Sequence, residues 1–67
     1  MKMKLKEIRI KKGYSRNHLS RISSVAQETI YKLESGKTPY TQAKLETFVL
    51  LARALKVKVV DLIPEIK

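Results

Sequence analysis

The chain has two glycines, Gly13 and Gly36, and two prolines, Pro39 and Pro64. These are the strongest breakers of local structure, and their positions cut the sequence into stretches of helical length with no flexible linker between them. A chain of 67 residues has room for one core, so a single domain over residues 1–67 is expected. With no cysteine and one histidine, neither a disulfide framework nor a structural zinc site is available, and packing alone must hold the fold. The 43% of hydrophobic residues supplies a core and separates the chain from a disordered basic tail.

Leu5 and Ile8 recur at helical spacing before Gly13, which suits the left-handed position beyond a helix end, and predict a first helix over about 3–12. Ser15 is a candidate N-cap. Tyr14 before it and Leu19 after it have the spacing of a hydrophobic staple, so a second helix is expected over 16–23. Ser23 and Ser24 favour a turn. Val25 and Ile30 repeat the staple spacing around Ala26, a weak cap, and predict a third helix over 27–35 that ends at Gly36. Leu45, Phe48, Leu51, Ala52 and Leu55 form the stripe of a fourth helix over 41–55. The branched run from Val57 to Ile63 has strand character, but a lone strand has nothing to pair with, so a short fifth helix over 59–63, stopped by Pro64, is preferred. The expected fold is an all-α five-helix domain. Its expected core is Leu5, Ile8, Leu19, Val25, Ile30, Leu33, Leu45, Phe48, Leu51, Ala52, Leu55, Val57 and Leu62.

Only a few residues join the second and third helices, the layout of a helix-turn-helix whose second helix enters the DNA major groove. At about 100° per residue, Gln27, Tyr31, Ser35, Glu28 and Lys32 share one arc of the third helix, and Ile30 and Leu33 occupy the other side. The polar arc carries an amide, a phenol, a carboxylate and an ammonium group, all able to meet base edges or phosphates. An ordinary solvated face has the same pattern, so the arc by itself leaves both readings open.

Fifteen Lys and Arg against six Asp and Glu leave a formal net charge of +9. That excess asks for an anionic partner, nucleic acid first and an anionic membrane surface second. No apolar run reaches the length of a membrane span, and no apolar segment follows the Lys-rich start as in a secretory leader, so no membrane partner and a cytoplasmic location are expected. His18 lacks a carboxylate three or four residues on, the serines lack a triad context, and there is no glycine-rich phosphate loop. No catalytic residue, metal, cofactor or small-molecule ligand is therefore expected, and the chain reads as a non-enzyme.

The runs Leu5-Lys6-Glu7-Ile8-Arg9, Lys12-Gly13-Tyr14-Ser15, Thr29-Ile30 and Leu33-Glu34-Ser35-Gly36-Lys37, with Leu19 and Val25 between them, closely resemble the phage repressor and Cro-like (XRE-type) helix-turn-helix family. Leu45-Glu46-Thr47-Phe48, Leu51-Ala52-Arg53-Ala54-Leu55, Val57 and Asp61-Leu62-Ile63 extend the resemblance to about residues 4–63. It implies a lambda-repressor-like domain that binds double-stranded DNA in sequence-specific fashion as a transcriptional regulator, with a repressor as the family's usual role. It also implies base contacts from Gln27, Glu28, Tyr31 and Lys32 and phosphate contacts from Ser15, Arg16, Lys37, Thr38 and Tyr40. A partly buried salt bridge between Arg9 and Glu34 is implied as the tie from the first helix to the third. Glu28 has two readings, accepting from cytosine N4 or being held by Lys32 or Arg16. Ser24 and Lys56 stand where the family often has glycine, and a left-handed backbone there costs roughly 1 kcal/mol, so a differently bent turn is expected at Ser24. The loop 37–44 is longer than the family's common pattern, which leaves its phosphate contacts open.

One recognition helix spans few base pairs, so a homodimer on a palindromic operator is expected. Its interface is expected at Val60, Leu62, Ile63 and Ile66, with Leu50 beside them, because the C-terminal run carries more apolar side chains than one short helix buries. The other class of reading is a basic protein-interaction module, or one that binds RNA or a membrane surface. It is suggested by the Lys-rich first helix and by the apolar Ile10, Leu50 and Ile66. Its weakness is aromatic content: with Phe48 in the core, only Tyr14, Tyr31 and Tyr40 remain, too few for a base-stacking platform.

Overall fold

Local signals set most of the helix ends. The computed structural model describes residues 4–63, which form α1 (Leu5–Lys11), α2 (Arg16–Ser23), α3 (Gln27–Ser35), a single 3-10 turn (Tyr40–Gln42), α4 (Leu45–Leu55) and α5 (Val59–Leu62). No strand occurs among the described residues, and within the branched run from Val57 to Ile63, where a strand was to be weighed, Val59–Leu62 is helical. Past α1, Gly13 takes φ +78°; its N–H donates to the Ile10 carbonyl at 2.9 Å and that of Tyr14 to the Arg9 carbonyl at 3.1 Å. This closes the last turn as a Schellman motif. The Ser15 Oγ then caps α2 by accepting from the His18 N–H at 3.0 Å.

The turn at Ser24 does not bend differently for want of a glycine. Ser24 takes φ +65° and Lys56 φ +59°, both left-handed. At the end of α4 the Lys56 N–H reaches the Arg53 carbonyl at 3.2 Å and the Val57 N–H reaches that of Ala52 at 2.9 Å. Lys56 therefore closes the same motif as Gly13, with a Cβ penalty that glycine lacks. In the α2–α3 turn the buried Ser23 accepts from the Val25 N–H at 3.2 Å, so its hydroxyl oxygen has a partner.

The core is Leu5, Leu19, Val25, Ile30, Leu33, Phe48, Leu51, Ala52, Leu55, Leu62 and Ile63, with Ile8 and Val57 packed half-buried at its margin. Each fully buried Leu or Ile is worth about 1.5–3 kcal/mol of transfer free energy. Helix α2 packs on α3 and α4, α1 packs on α3, and α5 packs on α4. The Lys4 N–H donates to the Leu62 carbonyl at 2.7 Å and joins the start of α1 to the end of α5.

Two expectations about the core are corrected. Leu45 is 67% exposed, because α4 begins at Leu45 and not at Thr41. Ala43 and Lys44 are extended, and a side chain at the first helical position leans past the helix end, beyond the packed surface. Leu62, expected both in the core and at a dimer interface, and Ile63, expected only at the interface, are 0% and 1% exposed inside the domain's own core. Val60 stays 36% exposed, and Ile66 lies outside the described residues.

Candidate nucleic-acid interface

Helix α3 is amphipathic in the sense its sequence predicts. Ile30 and Leu33 are buried and anchor it, whereas Gln27, Glu28, Tyr31 and Lys32 are exposed on the outer arc. Gln27 is held in place: its Nε2 donates to the Asn17 Oδ1 at 3.1 Å, which links the first turn of α3 to the first turn of α2. Asn17 is a contributor that sequence reasoning missed, since only the fold brings it beside Gln27. Glu28 takes the second of its two readings in the free chain, its Oε2 lying 3.4 Å from the Lys32 Nζ. That pair is exposed and spaced i, i+4, so it is worth at most a few tenths of a kcal/mol, about 0.3, and is easily opened.

Arg9 and Glu34 are brought together as the resemblance implies. Both guanidinium edges are used: Nε donates to Oε2 at 2.6 Å and Nη2 to Oε1 at 3.1 Å, while Nη1 donates to the Tyr14 carbonyl at 2.7 Å. The pair fixes the back of α3 to α1, so the outer arc of α3 is presented on a rigid support.

Of the other expected contact residues, Arg16 and Lys37 meet this arc at Tyr31. Arg16, the first residue of α2, has its Nη1 3.7 Å from the Glu34 Oε1 and its guanidinium 5.3 Å from the Tyr31 ring centroid. Lys37, just past Gly36, places its Nζ 5.4 Å from the same ring. The Thr38 N–H donates to the Lys32 carbonyl at 3.3 Å and folds the loop back on α3. Tyr40 opens the 3-10 turn and packs against the core. A groove between α3 and the start of α4 is lined by Thr29, Lys32, Thr38, Gln42, Lys44 and Thr47, among others. Lys44 thus joins Lys32 on one groove, which a reading of 41–55 as continuous helix does not anticipate. His18 sits edge-on to Tyr14, with ring centroids 4.8 Å apart.

Among the described residues no group of His, Asp and Glu has the arrangement of a metal site, and no described helix is long and apolar enough to cross a membrane. A protein-family model described as helix-turn-helix matches residues 5–62. No curated protein and no solved structure matches the chain significantly.

Proposed function

This chain belongs to the helix-turn-helix family of the phage repressor and Cro type and is a DNA-binding regulator of transcription, and from that premise we propose that it is a repressor binding a palindromic operator as a homodimer. The observation that carries the reading is the outer arc of α3, where Gln27, Glu28 and Lys32 stand exposed while Ile30 and Leu33 seat the helix in the core. An amide matches the N6 and N7 edge of adenine, an ammonium the O6 and N7 edge of guanine, and a carboxylate the N4 of cytosine. Ser15 and Arg16 at the start of α2, with Lys37, Thr38 and Tyr40 beyond α3, flank that arc as phosphate contacts. The net charge of +9 favours approach to the duplex.

A dimer answers the shortage of contacts made by one short recognition helix, and two-fold symmetry places half-sites about 34 Å apart. The interface we propose uses Val60 and the half-buried Leu50, Val57 and Val59. Leu62 and Ile63 support it from inside the core. Self-repulsion between copies of this charge favours assembly at higher salt or on DNA.

Selection of bound duplexes from a random pool tests the reading. The expected winner is an inverted repeat with half-sites one helical turn apart, bound by two chains in sedimentation and lowering transcription when set across a promoter. A pool with no enrichment over excess non-specific duplex would overturn sequence specificity; a single unrepeated site bound by one chain would overturn the dimer, and raised transcription the repressor.

A further inference from the structure

Two segments converge on Tyr31 of α3. Arg16 comes from the start of α2, Lys37 from beyond the end of α3, and both cationic heads lie within 5.4 Å of the ring centroid, the range in which a cation is drawn to an aromatic face. Tyr31 is 42% exposed and the Arg16 side chain 43% exposed, so the cluster sits at the surface beside the reading arc. Glu34, whose two oxygens are engaged by Arg9, stands 3.7 Å from Arg16. Among the described residues no carboxylate forms an ion pair with Lys37.

We propose that Tyr31 is a positioning residue for phosphate binding, a neutral platform that holds Arg16 and Lys37 ready for the DNA backbone. The choice of an aromatic ring has a physical reason. A carboxylate would hold the two cations as well but would cancel their charge and repel an arriving phosphate. The ring attracts them through its quadrupole and adds no negative charge of its own to cancel theirs. Ordering two long side chains before the encounter removes part of the entropy that binding otherwise costs. The cluster also spans α2, α3 and the following loop, so it fixes the two cations relative to the recognition helix and with them the register of α3 along the groove. The phenol hydroxyl has no part in this, which separates the platform from a base-reading role for Tyr31.

The proposal rests on the DNA-binding reading above, and its test has one arm that does not need DNA. Tyr31→Phe keeps the ring and Tyr31→Leu removes it. In the free chain, NMR should show the Arg16 δ and Lys37 ε protons shifted upfield by the ring, the shift kept in Tyr31→Phe and lost in Tyr31→Leu. With the selected duplex and a scrambled duplex of equal length, Tyr31→Phe should bind like the unsubstituted chain and select the same bases. Tyr31→Leu should bind both duplexes about five- to tenfold more weakly with a shallower salt dependence. Combined with Arg16→Ala, Tyr31→Leu should lose less than the product of the single losses. A changed base preference in Tyr31→Phe, multiplicative losses in the double variant, or absence of the upfield shifts would each overturn the platform. If the unsubstituted chain bound neither duplex, the DNA reading would fall and the phosphate role with it, while the free-chain shifts would still decide whether the ring holds the cations.

Discussion

Arg9 and Glu34 lie 25 positions apart and meet in a two-pronged ion pair, Nε to Oε2 at 2.6 Å and Nη2 to Oε1 at 3.1 Å. Their side chains are 9% and 2% exposed, so removal of either partner strands a buried charge. Glu34→Leu or Arg9→Met alone is expected to cost about 3 kcal/mol in urea unfolding. The double variant should recover much of that loss, since two apolar side chains of similar volume strand no buried charge, although the Tyr14 carbonyl loses its Arg9 donor. A double variant as unstable as the worse single one would show that the pair contributes packing geometry and not charge compensation.

Ser24 and Lys56 hold left-handed backbones at φ +65° and +59°. Glycine adopts that conformation without the Cβ clash but pays more entropy on folding, so Ser24→Gly and Lys56→Gly should each stabilise the domain by about 0.5 kcal/mol. The two sites share no hydrogen bond, and their effects should add. A fall in melting temperature for either variant would contradict this.

Leu51 is fully buried and Leu45 is 67% exposed, though both lie on the stripe of α4. Leu51→Ala should therefore cost about 2–5 kcal/mol, and Leu45→Ser should stay within about 0.5 kcal/mol of the unsubstituted chain. Chemical denaturation of the pair separates the two positions cleanly, and a large loss from Leu45→Ser would place the start of α4 earlier than Leu45.

Lys32 and Arg16 are expected to divide labour on DNA. Lys32→Ala also frees Glu28, its partner at 3.4 Å, and should relax base preference at one position of the selected site. Arg16→Ala should weaken binding to all duplexes alike and reduce the salt slope by about one. Identical binding profiles for the two variants across salt and sequence would reject the division.

Both bounds of α2 and the end of α3 are legible in the chain because each carries its own local signal: a serine cap at Ser15, the Ser23-Ser24 pair and Gly36. The amphipathic phase of α3 is legible for the same reason, since a 3.6-residue period says which side chains share a face. The Arg9–Glu34 pairing came from resemblance and not from any local rule, because 25 intervening residues give no hint of proximity.

What the sequence could not convey depends on neighbours distant in the chain. Periodicity does not say how far a stripe is covered, and extended backbone at Ala43 and Lys44 leaves Leu45 outside the core. A count of apolar residues sends Ile63 to a partner, whereas the fold takes it into the same core as Leu62, whose carbonyl is bonded to the Lys4 N–H. Local propensity argues against left-handed Ser24 and Lys56, but core packing of the helices on either side, worth several times roughly 1 kcal/mol, overrides it. The meeting of Arg16, Tyr31 and Lys37 belongs to the same class. Composition supplied two cations and a ring, and only the crossing of α2 with α3 and the return of the chain after Gly36 put them within reach of one another.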